Sequence, residues 1–543
     1  MIVAEEKPEK RSAAGRAIRR VSCQVRAFPL VFPAPMKFGV QRSGSPVRFT
    51  EDFYYLTLLG FISGLACIIA AYMVVVLNRN FLTIACDTEV LENAIVNTIH
   101  GHWFANNGAG GPNVLGAHTT FMLLAVIPFY IVLPFPETLF ALQCIGVYST
   151  VFPLYLVARD FGLQPRIAYL IAAMSLISAF LLHMAMAPFH FEGWIAAAAL
   201  WSYHFYLRNN LLGFVISILV ALSCAEQASL IFISLGISLL LVKDDCAWRR
   251  HFGAISLLLG VLWLVLAVCV ISPLAQTSAF NIYAYNYTQW GIKSAAGLPG
   301  AVLHDPGKAL QLFFAPLRWF HLLSVVGLLL VTACCSWRSL LLLLPLPAYL
   351  LMSDQEFSLY FHAYYYSFIF FAGYIGLFHL LRRVEPTGQV AVTGFSVLWF
   401  AAILTLCLAA TYYSELITAV DEPFSTMLRQ EFAKIPPEAT VYGPHRYSIF
   451  LGNRVNFLMG DMPPANTNFD DMVDSQFAKY NVHAEHIDYI VSDYWTDQCG
   501  WRRGFMNPQD SQRRQDAVNR LVASGQWEVA WQVNDTVILQ RVK

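Results

Sequence analysis

The stretch HTTFMLLAVIPFYIVLPFP, residues 118–136, decides how this chain of 543 residues is organised. Its apolar part, 118–133, opens on a histidine and closes on Pro134 and Pro136. A helix needs about 20 apolar residues to cross a bilayer. The run therefore reads either as a span or as a re-entrant or interfacial helix, and every later segment changes sides with that choice. Around it lie eleven apolar runs of spanning or near-spanning length, at about 53–78, 137–157, 167–187, 191–207, 211–224, 227–242, 251–272, 318–334, 339–352, 359–381 and 392–413.

Composition agrees with a membrane chain. With 57% hydrophobic and only 13% charged residues, a wholly soluble enzyme is excluded. The 35 Lys and Arg balance the 35 Asp and Glu, so net charge gives no argument for nucleic acid as a partner. The distribution is more informative than the sum. Residues 1–52 hold 10 basic and 5 acidic residues, 53–413 hold 13 of each, and 414–543 hold 12 and 17. The expected organisation is a basic cytoplasmic tail (1–52), a transmembrane domain (53–413) and an extracytoplasmic α/β domain (414–543). The tail shows no cleavable signal peptide, and Met36 is an alternative start.

The positive-inside rule chooses between the two readings of 118–133. If that run does not cross, Arg159, Arg166, Arg208, Lys243, Arg249, Arg250, Arg338, Arg382 and Arg383 all join the basic tail in the cytoplasm. If it crosses, all nine move outside and contradict the tail. The first reading gives about eleven transmembrane helices, a first outer loop over 79–136, a second large outer loop over 273–317, and location in the cell (inner, cytoplasmic) membrane. It also gathers the polar residues of the membrane domain on the outer face: Asp87, Glu89, Glu92, His100, His102, His118, His190, Glu192, Glu226, Asp354, Glu356 and His362. An ionisable residue at bilayer depth costs about 2.5–3.5 kcal/mol, so such residues usually face a wet cavity or serve a function.

Within this set, TIACDTEVLENAIVNTIHGHWF (83–104) carries the spacing of an amphipathic helix lying on the membrane surface, with Val90, Leu91, Ala94 and Ile95 on its apolar face. Asp87 opens it, either as an N-cap or as a catalytic carboxylate. The glycine-rich NNGAGGPNVLGAH that follows lacks the context and the Lys-Ser/Thr of a phosphate loop. His118, His190 and His362 sit at membrane boundaries, as interfacial anchors or as metal ligands. Glu226 interrupts a long apolar run, as a hydrogen-bonded helix break or as a buried carboxylate lining a cavity, and the second is favoured by its cost. YFHAYYYSFIFF (360–371) is an aromatic belt whose Tyr364, Tyr365 and Tyr366 are also suited to bind a ring or a lipid phosphate. The outer loop holds Tyr283, Tyr285, Asn286, Tyr287, Gln289 and Trp290, a set fit for sugar stacking and equally for a helix resting among headgroups. The 11 cysteines form no CxxC; Cys86 and Cys499 fall outside the expected spans, and a disulfide between them is open. In the C-terminal part IPPEATVYGPH, HIDYIVSDY and WEVAWQVNDTVILQRV read as strands, the last as a hairpin turning at Asn534-Asp535. Residues 448–451 and 513–523 read as helices.

The order of these features resembles a large group of prokaryotic multi-pass membrane proteins classed as a domain of unknown function. The resemblance is carried by Asp87, NVLGAH ending at His118, PFY at 128–130, Gln143, LYLVAR ending at Arg159, PFHFE at 188–192, Glu226, YFHAYYY and IPPEATV at 435–441. That group usually shows Asp-Phe-His where this chain has Pro188-Phe189-His190, and Glu192 is the acid that could stand in. The arrangement also looks like the GT-C superfamily of glycosyltransferases. The resemblance implies transfer of a sugar from a polyprenyl-phosphate donor to a glycan, lipid or protein acceptor, with Asp87 as general base. His118, His190, Glu192, Glu226, Tyr283, Tyr285, Trp290, His362, Tyr364 and Tyr365 would then bind substrate. Some members of that superfamily use a divalent metal ion and others none. The rival readings are a lipid or small-molecule transporter or flippase, and a membrane scaffold with an outer binding domain; no internal repeat of the transporter kind is visible.

Overall fold

The computed structural model describes residues 49–80, 86–106, 113–241, 247–275, 287–292, 297–351, 366–384, 422–444, 450–451, 454, 456–459, 462, 468–477, 483–493, 508–533 and 536–542. All of them fall within one compact unit, 42–543.

The first element is a 31-residue helix, α1 (Phe49–Arg79), with Glu51 and Asp52 in its first turn and Arg79 in its last, as the helix dipole favours. There follow α2 (Cys86–Ile99), α3 (Leu123–Val132), α4 (Pro136–Tyr148), α5 (Val151–Asp160), α6 (Pro165–Ser175), α7 (Ala179–Met186), α8 (Ile195–Leu207), α9 (Leu211–Cys224), α10 (Ala228–Leu240), α11 (Ala247–Val265), α12 (Pro316–Ala333) and α13 (Ser367–Val384). Among the described residues three helical stretches are long and apolar enough to cross a membrane: Glu51–Arg79, Pro136–Asp160 and Arg249–Ala275. The bent pair α6–α7 makes a fourth if it counts as one span. The first and third bury only 22% and 17% of their apolar windows against 61% for the second, so they line the periphery while α4–α5 run through the middle.

Some expected spans differ from a single helix, and 137–157 is divided between α4 and α5 at Ser149 and Thr150. The run 167–187 bends by 45° between α6 and α7, where Ser178 turns to extended backbone and its hydroxyl caps Leu181 N–H. The run 339–352 divides into Trp337–Leu341 and Leu346–Leu350, because Pro345 and Pro347 cannot continue the preceding helix. The run 392–413 lies outside the described residues.

The bundle has two chemically different ends. At one, Asp52 of α1 pairs with Arg159 of α5 at 2.7 Å and accepts the Tyr155 hydroxyl at 2.5 Å, while Asp160 holds His204 and Arg208. Arg383 closes the same end by donating to the Cys335 carbonyl. At the other end Arg79 meets Glu137 of α4 at 2.9 Å. Helix α3 begins and finishes at this second end: Met122 N–H donates to Ser223 O at the close of α9, and Glu137 follows α3 directly. With 10 residues it is about 15 Å long, half a hydrocarbon core.

Close helix contacts depend on small residues, the usual currency of packing between apolar helices. A Cβ added at Gly236 of α10 would lie 2.6 Å from Leu257 N, and one at Gly376 of α13 would lie 2.1 Å from Thr332 O of α12.

The C-terminal part contains α14 (Glu422–Phe432), β1 (Val441–Gly443), β2 (Phe457–Met459), α15 (Phe469–Phe477), β3 (Tyr489–Asp493), α16 (Pro508–Ala523), β4 (Trp527–Val533) and β5 (Thr536–Arg541). Its five strands form one mixed sheet in the order β2-β1-β3-β5-β4, with β1 parallel to both neighbours and β3–β5 and β5–β4 antiparallel. The expected hairpin is present, with Val533 opposite Thr536. One hydrophobic cluster on the sheet centres on Tyr442, Ile490 and Trp527, and another on Leu428, Val441 and Ile538. The expected helix 513–523 begins earlier, at Pro508. Strand β2 and helices α14 and α15 were not expected from the sequence; β2 is only three residues long and carries no alternation to read.

Replacing Gly376 by Leu is expected to lower thermal stability in detergent by about 1–3 kcal/mol through overpacking. The same change at Gly64, whose added Cβ meets nothing within 4 Å, leaves it nearly unchanged. Equal melting temperatures for the two variants would remove the α12–α13 contact from the packing argument.

Candidate functional site

Three separated segments converge where α3 stays at one end of the bundle. His118 follows the short 3-10 turn Val114–Gly116, His190 and Glu192 stand between α7 and α8, and Glu226 occupies the break between α9 and α10. His118 Nδ1 lies 3.2 Å from Glu226 and 4.0 Å from Glu192, and His190 Nδ1 lies 3.4 Å from Glu192. The result is an alternating row, Glu226, His118, Glu192, His190. Only the His118 side chain is appreciably exposed, at 22% against 8% or less for the others.

Each position has a local cause. Helix α9 ends at Cys224, Ala225 is extended, and Ser229 satisfies the freed Glu226 carbonyl through both its N–H and its hydroxyl. Glu226 is thus both a helix break and a buried carboxylate. Its second oxygen accepts Thr119 N–H at 3.0 Å, with the Thr119 hydroxyl at 3.4 Å, which fixes the carboxylate plane. The turn carrying His190 is held by Gln143 of α4. That amide donates to the carbonyls of Met184, Ala187 and Pro188 and accepts His190 N–H. Pro188 offers no N–H, and Phe189 N–H goes to Thr88 Oγ1 at 2.8 Å. Thr88 belongs to the first turn of α2, so the helix that carries Asp87 abuts the His190 turn. The Asp87 side chain itself lies outside the described residues, as does that of Cys86.

Electrostatics follow from this geometry. Burial alone would lower the His118 pKa, but the charge and hydrogen bond of Glu226, with Glu192 behind, raise it to about 9. Glu192 lies between the two imidazoles, 3.4 Å from His190 and 4.0 Å from His118. A His nitrogen facing a carboxylate carries the proton, so His118 turns Nδ1–H toward Glu226 and leaves Nε2 for an outside partner. Among the described residues no three His, Cys, Asp or Glu side chains are arranged to hold a metal ion.

Helix α2 departs from the expected surface helix. Residues 88–98 are buried apart from the half-buried Val90, including the polar Glu89, Glu92, Asn93 and Asn97. Its apolar face rests on the bundle, and Glu92 accepts the Tyr130 hydroxyl of α3 at 2.5 Å, where a surface helix would leave the carboxylate in water. Burial pushes the Glu92 carboxyl up to about 8, against the pull of that hydrogen bond. His100 and His102, beyond the end of α2, are exposed.

Trp290 is engaged in structure. Its indole N–H donates to Leu351 O at 2.9 Å, and the Lys308 ammonium lies 5.3 Å from its ring centroid. Tyr287 and Gln289 donate to Ala348 and Leu351 carbonyls in the same way, so this segment caps the end of Leu346–Leu350. Tyr283, Tyr285, His362, Tyr364 and Tyr365 lie outside the described residues, as does Cys499. Tyr349 was missed by sequence reasoning. It stacks on Phe368 at 5.0 Å, and its hydroxyl reaches Gln227 beside Glu226. Nothing in LPLPAYLL distinguishes it from an interfacial tyrosine.

Residues 80–538 match the model of a family described as predicted membrane protein (DUF2079), and the chain belongs to that family. It is a membrane protein with helices able to span, in agreement with the resemblance read from its sequence. No curated protein matches it.

The stabilising pairing of His118 with Glu226 has a defined pH window. Because the folded pKa of His118 is raised, the contribution is fully present below about 6.5 and is lost as pH rises through about 9. The melting temperature of the native chain is expected to exceed that of Glu226→Gln most at pH 6–6.5, with the gap narrowing toward pH 10. A gap that stays constant over this range would show that the pair does not titrate as described.

Proposed function

We propose that this chain is a membrane glycosyltransferase that moves a sugar from a polyprenyl-phosphate-linked donor to an acceptor on the extracytoplasmic face, with Asp87 as the general base. The observation that carries the reading is the convergence of His118, His190, Glu192 and Glu226 at the end of the bundle where the first turn of α2, the turn of Asp87, meets the His190 turn through Thr88 and Phe189. Arg159, Arg208 and Arg383 mark the opposite end, which the positive-inside rule assigns to the cytoplasm. The site then faces outward, and the sheet domain with it.

The chemistry is a single displacement. The acceptor hydroxyl gives its proton to the Asp87 carboxylate while its oxygen attacks the anomeric carbon. The bond from that carbon to the phosphate oxygen breaks with its electron pair, so the lipid phosphate leaves and the anomeric configuration inverts. His118 is the one member of the cluster that is half-buried and not fully buried, and it offers Nε2–H to a substrate oxygen. Glu226 and Thr119 keep its ring oriented and balance its charge. Short apolar α3, with Phe129, Ile131 and Val132 exposed, suits a donor whose lipid tail stays in the membrane.

Purified protein is to be tested against a panel of radiolabelled polyprenyl-phosphate sugars with envelope acceptors. Turnover is expected in the native chain and a fall of about 100-fold to 10,000-fold in Asp87→Asn, with lipid binding retained. Equal turnover in Asp87→Asn would refute the base assignment. If no sugar lipid is bound or consumed, transport of lipid across liposomes replaces transfer as the leading reading.

A further inference from the structure

The polar face of α2 is covered by the C-terminal sheet domain, and the contact is specific. Asn93 Nδ2 donates to the backbone carbonyl of Arg454 at 3.0 Å. Asn97, one turn on, donates to Asn93 Oδ1 at 2.9 Å, so the Asn93 amide is turned with its NH2 group toward Arg454. One turn before Asn93 stands Val90, which packs against both the bundle core and the cluster around Leu428, Val441 and Ile538. Phe450 does the same from the other side and is likewise shared by the two cores.

Arg454 is itself fixed to the sheet domain. Its guanidinium donates to the carbonyls of Pro436, Ile435 and Phe432, closing the end of α14, and its own carbonyl also accepts the first N–H of β2, from Phe457 at 3.4 Å. One residue therefore joins α14, the turn before β1, the start of β2, and α2. From α2 the chain of contacts continues through Thr88 to the His190 turn.

We infer that Arg454 and Asn93, with Val90 and Phe450 packed beside them, form a latch through which the sheet domain sets the position of α2, and that Arg454 and Asn93 are positioning residues for the site between α2 and the His118–Glu226 pair. The inference of a latch stands on contacts alone; its effect on turnover rests on the glycosyltransferase reading. The sheet domain is then a wall of the site: α2 has the bundle on one side and the latch on the other, and release of the latch frees the helix that bears Asp87.

The test uses the full-length protein in detergent and follows amide hydrogen exchange over residues 86–99, with α10–α11 as an internal reference. Arg454→Met removes the guanidinium contacts, and Asn93→Asp removes the donated hydrogen bond while leaving Arg454 intact. Both are expected to speed exchange in α2 by about fivefold to tenfold, the size of one lost hydrogen bond, with α10–α11 unchanged. Unchanged exchange in Asn93→Asp overturns the latch, even if Arg454→Met fails to fold. In the transfer assay the latch variants are expected to lose kcat with little change in KM for the sugar lipid. Loosened α2 with undiminished kcat overturns the positioning role. If the native chain transfers no sugar, the glycosyltransferase reading fails by itself and the exchange result still decides the latch.

Discussion

A carboxylate cannot be left alone in an apolar bundle, and Glu226 satisfies that requirement with a histidine drawn from more than a hundred residues away. The contact to His118, the Thr119 N–H on the second oxygen, and the Met122–Ser223 backbone bond all pin the start of the 118–136 stretch to the end of α9. The far end of the same stretch is pinned by Glu137 to Arg79. With both ends held at one end of the bundle, α3 does not run its length. Helices α4 and α5 then lead from that end to the opposite one, where Arg159 and Arg208 meet Asp52 and Asp160. The charge pattern and the buried pair are thus two expressions of one constraint, the expense of an unpaired ion in a low-dielectric interior.

That constraint also explains what could be read in advance. His118, His190, Glu192 and Glu226 are conspicuous because ionisable residues are rare among apolar ones, and rarity alone picked them out. Their adjacency was not written in any spacing; it came from deciding which way α3 runs. The residues that hold them were silent for the opposite reason. Gln143 acts on backbone carbonyls of a turn more than forty residues away, and an amide on a buried helix has no sequence pattern that names its partner. Thr88 and Tyr349 work in the same way, through single hydrogen bonds made by common residues. In the sheet domain the hairpin was legible because its strands run seven and six residues, the first alternating as WEVAWQV and the second β-branched and apolar, whereas three-residue β2 owes its existence to neighbours.

Helix α2 shows how a correct period can be assigned the wrong solvent. Its apolar positions do fall on one face, and that face does meet the bundle. The other face, which in a surface helix would meet water, carries Asn93 and Asn97, neutral amides that pair with each other and with a backbone carbonyl. Glu92 is accommodated differently, by burial that favours the protonated acid against the pull of the Tyr130 hydroxyl. A period of 3.6 identifies two faces and says nothing of what covers the polar one.

The half-buried histidine of the cluster is where structure and chemistry meet. A cation whose charge is already balanced by Glu226 and shared with Glu192 does not attract anions at long range. What it offers is direction, because Glu226 and Thr119 fix the ring and leave a single N–H to present. Such a group discriminates by geometry at contact distance, which is what the proposed transfer asks of a residue that recognises a substrate oxygen. The pairing that ties the start of the 118–136 stretch to the end of α9 is therefore also the one that leaves a single oriented donor.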